Sequence, residues 1–507
     1  MDRPNILFIL SDDHAVKAIS ALNRTGQTFN HTPNLDRIAK EGAIFENSFC
    51  CNSICTPSRA SILTGKHSLQ NGVLTLNDAL ADDQVTFAGL LKKSGYCTAL
   101  VGKWHLHNNP KDEDFDFWQV LPAQGKYYNP EYITPEGNIH KEGYVTDLST
   151  DAILDWLDHG RDKEKPFLAC LQFKAPHRPW LPPARHYRLY EGHTFPEPPT
   201  LRDDYSHRCD VLKKNHLEIA RHMNWNCDLK VHDAGPNHDR LSMTKPDHSE
   251  NEFGRMTPEQ LKEWNEAYRG RNEFVKNNKL SDEEFESFAY QAYVTDYLRC
   301  IAAVDDNVGR ALQYLDDNDL TKNTIVVYCS DQGFYLGEHR WYDKRWIFEE
   351  SMRMPLLMRW PGKIEPGSSF DPLVQNIDYA PTFLEACGVD APNDIQGTSL
   401  LRVIENDGEE IHETLYYHYY QHGGHGVPAH DGIRDQRYKL IHFYSVGEFN
   451  LMDLEEDPQE LVSLHDDPNY ADILTKMKGL YWDARQEFKI PDEHGPAGFK
   501  EGKRLPR

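Results

Sequence analysis

The sequence lacks any apolar run long enough to cross a membrane as a helix. Its longest stretches, such as Ile6–Leu10 and Phe167–Leu171, fall far short of the ~20 residues such a span needs. It is poor in basic residues, with 55 Lys+Arg against 80 Asp+Glu and a formal net charge of −25. That balance argues against nucleic acid as a partner, because non-specific binding needs a cationic surface to displace counterions. It does not exclude a small anionic ligand, since fields from exposed charges fade over about 8–10 Å at physiological salt. Ten cysteines in 507 residues are too sparse for a disulfide scaffold, and no C-x-x-C pair offers a zinc knuckle or a redox dithiol. Cys170 and Cys329 lie inside apolar runs, where a buried free thiol is expected. Internal repeats and low-complexity tracts are also missing. Met1-Asp-Arg-Pro-Asn5 leads straight into a strand-like run without signal-peptide features, as expected of a cytoplasmic chain or of one whose leader has been removed.

What is present is core material, 39% hydrophobic and 11% aromatic, enough for a large folded domain. Four apolar runs each end in chemically capable residues. Asn5–Leu10 leads to Ser11-Asp12-Asp13-His14, and Thr98–Val101 to Gly102-Lys103-Trp104-His105. Pro166–Phe173 leads to Ala175-Pro176-His177-Arg178, and Thr324–Ser330 to Asp331-Gln332-Gly333. Continuous Val/Ile/Leu/Phe runs suit strands buried on both faces of a mostly parallel sheet. Ligands in such sheets bind beyond the carboxyl ends of the strands, so one edge can collect all four polar groups.

Between the runs lie helical patterns. In residues 285–316, Tyr293, Tyr297, Ile301, Val304, Val308, Leu312 and Leu315 form an apolar stripe of helical period, with Asp305, Asp306 and Arg310 on the other side. Shorter helices are expected at 37–41 and 86–94. The fold class is α/β, a large mostly parallel sheet flanked by helices. Residues 1–405 read as the catalytic α/β domain, carrying a polar insertion with short helices at about 200–282. Residues 406–507 read as a small C-terminal α+β subdomain that contributes to the substrate pocket. Its strand-like segments are Thr414–Tyr420 and Tyr438–Tyr444, and its terminal helix lies around 470–488.

The sharpest motif is Cys55-Thr-Pro-Ser-Arg59-Ala-Ser-Ile-Leu-Thr-Gly65, a full match to C-x-P-S-R followed by a hydrophobic residue and T-G. With Asn5–Asp13, Gly102–His105 and Ser330–Gly333 in the same order, the chain resembles the type I, formylglycine-dependent sulfatases of the alkaline phosphatase superfamily. The resemblance runs from Asn5 to the segment at 453–458. The aromatic segments add a likeness to bacterial carbohydrate sulfatases of the N-acetylglucosamine-6-sulfatase and iduronate-2-sulfatase type.

The resemblance implies that a maturation enzyme oxidises Cys55 to formylglycine. Its hydrate attacks sulfur with one hydroxyl, and deprotonation of the second then ejects sulfate, dividing one hard step into two. Asp12, Asp13, Asp331 and the side-chain oxygen of Gln332 are hard donors suited to Ca²⁺, with Mg²⁺ as an alternative, and by resemblance the formylglycine made from Cys55 completes the metal set. Independently of any family, neighbouring carboxylates at a strand end favour a cation. By motif, Arg59 orients the formylglycine, Lys103 bridges it to the sulfate, and His105 is a candidate base. His177 and Lys344 contact sulfate and help protonate the leaving oxygen, and His339 orients its neighbours. Arg178, Trp180, His422, His425, His430 and Arg434 are candidates for a sugar pocket, with Arg437 beside them. The expected substrate is a sulfated carbohydrate, and neither nucleic acid nor a membrane is an expected partner. Two alternatives remain open: a formylglycine-dependent phosphodiesterase or phosphonate monoester hydrolase, and a non-catalytic glycan-binding protein with Cys55 unmodified.

Overall fold

The computed structural model describes residues 3–23, 29–241 and 252–491. In chain order its strands are β1 (Asn5–Ser11), β2 (Ala43–Phe49), β3 (Cys97–Lys103), β4 (Phe117–Leu121), β5 (Glu131–Thr134), β6 (Gly137–His140), β7 (Phe167–Gln172) and β8 (Thr324–Ser330). They continue as β9 (Tyr335–Leu336), β10 (Tyr342–Asp343), β11 (Leu356–Arg359), β12 (Ser368–Gln375), β13 (Leu415–Tyr419), β14 (His430–Arg434), β15 (Tyr438–Phe443) and β16 (Glu448–Asp453). Ten of them form one sheet in the order β12-β2-β11-β8-β1-β7-β3-β4-β5-β6, and β13 to β16 form a four-stranded antiparallel sheet. In the large sheet only β11 and β5 run against the rest.

Alternation along the central strands explains why both sheet faces are covered. Leu7, Ile9, Val101, Leu171 and Val326 belong to one apolar cluster, which includes Tyr293, Ile301 and Leu312 of helix Asp282–Asp317. Ile6, Phe8, Leu10, Leu100, Leu168 and Val327 point the other way, toward Ala60, Phe87, Leu91 and Phe383. At β3, Gly102 allows the close approach of β7, since a Cβ there would sit 1.8 Å from the Gln172 carbonyl oxygen.

The long helix starts at a capping box built from Ser281 and Glu284, and all seven residues of its apolar stripe are buried. Asp305 departs from the expected polar face. It is buried and accepts hydrogen bonds from the Asn34 and Leu35 amides at 3.0 and 2.8 Å. These amides open helix Pro33–Glu41, whose own N-cap Thr32 makes no side-chain cap bond. The long helix therefore supplies the cap of its neighbour.

The region at 200–282 also departs from short helices alone. Helix Pro258–Asn277 is 20 residues long and buries Trp264, Tyr268 and Val275, a sparse stripe of helical period hidden among charges. In the C-terminal sheet β13 and β15 lie where aromatic runs predicted strands. The terminal helix Ala471–Glu487 packs on that sheet through Met477 and Tyr481. Among the described residues no helix is long and apolar enough to cross a membrane.

Replacing Asp305 by Ala leaves one buried amide, that of Leu35, and one half-buried amide, that of Asn34, without an acceptor. The expected loss is about 2 kcal/mol of stability, read as a lower urea midpoint with an unchanged far-UV spectrum.

Candidate active site

Strand register creates the site. β1 lies between β8 and β7, with Ser11 opposite Ser330 and Leu10 opposite Gln172. β3 adjoins β7, with Gly102 opposite Gln172. The next residues along the chain are Asp12, Asp331 and, at the end of β3, Lys103. They emerge together because their strands end together. Backbone bonds fix the junction, with the Asp331 amide donating to Ser11 O at 3.1 Å and the Asp12 amide to Ala175 O at 3.3 Å.

Helix Cys55–Thr64 closes this edge, and each motif residue has a local reason. Cys55 is its first residue, Pro57 occupies the first turn where no amide hydrogen is needed, and Gly65 ends it with φ 66°. Every residue of the helix is buried, so its polar side chains must find partners. Ser58 donates to the Asp331 carbonyl, and Asn376 Nδ2 donates to Ser58 Oγ at 2.9 Å. Arg59 Nε meets Asp331 Oδ2 at 3.0 Å, while its Nη1 donates to Lys103 O at 2.7 Å and to Gln172 Oε1 at 3.0 Å. Arg59 thus ties three strand ends to the helix.

The Cys55 sulfur lies 3.4 Å from Asp12 Oδ1, 3.3 Å from Lys344 Nζ and 3.7 Å from Gln332 Nε2. Lys103 pairs with Asp12, and Lys344 pairs with Asp13. His177 Nε2 is 3.7 Å from Asp13 Oδ2, and its Nδ1 is 2.7 Å from the Arg178 carbonyl. Left-handed backbone recurs around the site, at Asp13 (φ 67°), His105 (57°), Trp180 (54°), Asp343 (76°) and Arg345 (99°). Such conformations persist only where the surrounding structure imposes them.

The electrostatics follow from burying so many charges. Burial pushes Asp13 up to about 7 and Asp331 to about 6, helped by their carboxylate neighbours. Burial acts the same way on Asp12, but Lys103, His177, Arg59 and Lys344 outweigh it and hold that carboxyl well below its usual range. Burial, then the Asp12 charge, raises the Cys55 thiol to about 12. Burial and Lys103 bring His105 down to about 2 and hold His177 well below an ordinary histidine.

Oxygens of Asp12, Asp13 and Asp331 lie within 4.8 Å of one another. Gln332 Oε1 is buried with no hydrogen-bond partner, which is costly unless something electropositive meets it. Three carboxylates and an orphaned acyl oxygen fit a hard divalent cation.

Above the sulfur opens a pocket of about 190 Å³, walled by Gln124, His177, Arg178, Trp180, Tyr342 and Lys344, among others. Of the expected pocket residues, Arg178, Trp180 and His425 are there. Arg178 is held by Asp228 of the 200–282 region, whose Oδ2 lies 2.5 Å from Nη2. His425 Nδ1 is 2.7 Å from Asp343 Oδ2. His105 touches Thr56 at 3.4 Å and lines a neighbouring pocket of about 370 Å³.

The structure places the other expected pocket residues elsewhere. His430 is a buried residue of β14, its Nε2 accepting from the Ile347 amide at 3.2 Å and its ring packed on Trp346. Arg434, on the same strand, binds Glu349 at 2.9 Å and lies over Phe49. Arg437 pairs with Asp453 at 2.7 Å. His422 accepts from the Ala429 amide at 3.4 Å within its own turn. Taking His430 and Arg434 as pocket candidates overlooked β14, a strand whose Asp431 and Gly432 obscure its pattern.

Gln124, Tyr342, Asp343 and Arg345 were missed. Gln124 lies on a turn with no motif, whereas Asp343 and Arg345 flank Lys344 and were within reach.

A parallel sheet whose strand ends gather three carboxylates, three cations and a helix-borne cysteine defines a hydrolase site for an anionic ester. The chain belongs to the sulfatase family, within the alkaline phosphatase superfamily. The sulfatase family model matches residues 4–389, and the N-sulphoglucosamine sulphohydrolase C-terminal model matches 337–487. It is 40% identical to an N-acetylglucosamine-6-O-sulfatase of Bacteroides thetaiotaomicron, over 99% of this chain and 90% of the relative. It is 26% identical to an arylsulfatase of Clostridium perfringens, over 94% of this chain and 93% of that one. A solved structure in complex with its substrate D-glucosamine-2-N,6-O-disulfate superposes with TM-score 0.91 at 40% identity, over 97% of this chain and 99% of the other.

His339 is wholly buried, with Nδ1 3.1 Å from Asp203 Oδ2 and Nε2 3.7 Å from Glu350 Oε2. Burial alone would lower it, but those carboxylates raise it to about 9. A raised histidine stabilises the fold fully below its unfolded value near 6.5, and that contribution is lost as pH rises through 9. Stability measured by urea unfolding is therefore expected to fall across this window. The slope flattens in His339→Asn, a substitution that tolerates the local φ of 53°.

Proposed function

We propose that this chain removes an O-sulfate from a sulfated carbohydrate, the 6-O-sulfate of a glucosamine-type residue. The carrying observation is the Cys55 sulfur at the base of a pocket, in contact with Asp12, Lys344 and Gln332. The 40% identical N-acetylglucosamine-6-O-sulfatase supports the choice of sugar. Residues 1–405 form the catalytic unit in this reading, and 406–507 add to the pocket through His425.

Formylglycine, made from Cys55 by a maturation enzyme, supplies a hydrated aldehyde as nucleophile and a second hydroxyl through which sulfate is expelled. Asp12, Asp13, Asp331 and Gln332 would hold the divalent cation, Ca²⁺ or else Mg²⁺, which supplies charge to acidify a hydroxyl and polarise the ester.

The remaining work falls to the chain's own side chains. Arg59 fixes Asp331 and the end of β3, so the carboxylates keep their places when substrate enters. Lys103 and Lys344 offset the charge of the sulfate. His177 is the general acid. Its Nδ1 is committed to the Arg178 carbonyl, so Nε2 is the nitrogen that gains and loses the proton. Burial and Lys103 keep the free imidazole neutral. An anionic ester alongside counters the Lys103 field, loads Nε2 with a proton and places it at the leaving oxygen. His105, neutral for the same physical reasons, is the base.

The same machinery suits phosphorus esters. The phosphonate monoester hydrolase of Agrobacterium radiobacter has this fold, at TM-score 0.67 and 19% identity, which speaks to architecture alone. Assaying sulfate release beside aryl phosphodiester cleavage separates the chemistries.

Cys55→Ala is expected to lose turnover to background while keeping the parental circular dichroism. In the active parent the peptide spanning Cys55 carries an aldehyde by mass spectrometry. A fully unmodified thiol in active protein contradicts this mechanism, whereas an unmodified thiol in inactive protein leaves glycan binding without catalysis. His177→Ala is expected to slow a sugar 6-sulfate at least about tenfold more than 4-nitrophenyl sulfate, whose leaving group needs no proton. Equal losses on both esters remove it as the acid.

A further inference from the structure

Lys103 has a partner that no motif indicated. Its wholly buried ammonium pairs with Asp12 and also donates to Gln124 Oε1 at 2.5 Å. Gln124 lies on the turn after β4, between Ala123 (φ 48°) and Gly125 (φ 68°). A Cβ at position 125 would meet the Leu121 side chain at 2.7 Å. Gly125 therefore suits this turn, where the backbone is left-handed and the Leu121 side chain crowds the Cβ position.

The chemistry of the pair settles which way the carboxamide faces. An ammonium only donates, so the amide oxygen must face Lys103 and the NH₂ end is left for the pocket, whose wall Gln124 shares with Cys55 and His177. Lys103 has three protons, of which Asp12 and Gln124 take two. The third is left for an anion bound between Lys103, which lies behind the pocket wall, and Gln124, which forms part of that wall. Gln124 being neutral also matters. Asp12 already offsets the lysine, and a second carboxylate would leave Lys103 enclosed by anions and repel an incoming sulfate.

We infer that Gln124 is a positioning residue for Lys103, fixing the direction of its free proton, and that its amide NH₂ gives the bound sulfate a second donor. The inference deepens the sulfate-ester reading above and rests on it.

The test compares the parent with Gln124→Ala, Gln124→Glu and Gln124→Met, using 4-nitrophenyl sulfate, a sugar 6-sulfate and inorganic sulfate. Losing a hydrogen bond to a charged group predicts about a tenfold fall in kcat/KM for Gln124→Ala on both esters alike. Gln124→Glu is expected to fall about a hundredfold, mainly through KM, with the inhibition constant for inorganic sulfate rising in step. Gln124→Met keeps the side-chain length without the polar atoms. It should match Gln124→Ala, and it carries the test if Gln124→Glu fails to fold. Parental KM and sulfate inhibition in Gln124→Glu, or in Gln124→Met where Gln124→Glu does not fold, overturn the inference. So does a loss confined to the sugar ester, which would make Gln124 a reader of sugar alone. Thermal stabilisation by inorganic sulfate gives a readout without turnover. If the parent hydrolyses neither ester yet gains stability from sulfate, and Gln124→Glu gains less, the proposed activity fails while the role of Gln124 stands.

Discussion

Everything in the site depends on tolerating three carboxylates packed together out of water. Asp12, Asp13 and Asp331 place oxygens within 4.8 Å of one another, and uncompensated burial of such charges would overwhelm the stability of any domain. Arg59, Lys103 and Lys344 supply the compensation from a helix, a strand end and a loop. The result is a frame in which neither the acids nor the cations can be removed singly. The same crowding favours a divalent ion, and with it the polarised ester chemistry of the sulfatase family.

Much of this was legible before any coordinates. Apolar runs ending in Asp, Lys, His and Gln marked the strands and their carboxyl ends together, because a parallel sheet buries its middle and exposes its tips. The Cys55 motif was legible because each position has a local duty: a helix start, a proline where no amide is needed, an arginine bridge and a left-handed glycine. What was hidden depended on tertiary partners. Asp305 reads as a surface acid on its own helix and becomes a cap only when another helix arrives. β14 escaped notice because glycine and aspartate interrupt its pattern, and with it went the true surroundings of His430 and Arg434.

The pocket is built from distant stretches of chain. Asp228, from the polar region at 200–282, holds Arg178 beside the site, and His425, from beyond the large sheet, meets Asp343 in the same pocket. The sheet edge carries the chemistry, and its walls come from segments free to vary without disturbing strand register. This division lets related sulfatases share a core and differ in the molecules they accept.

One feature of the fold reaches back to the birth of the molecule. Cys55 begins a helix with no surface of its own, 1% exposed beneath a narrow opening. Any enzyme that oxidises this thiol must first reach it, and the folded protein leaves the sulfur almost no exposed surface. If Cys55 is oxidised as proposed, its burial requires the oxidation to precede folding: a chain that collapses first seals its cysteine away and carries that omission for the rest of its life.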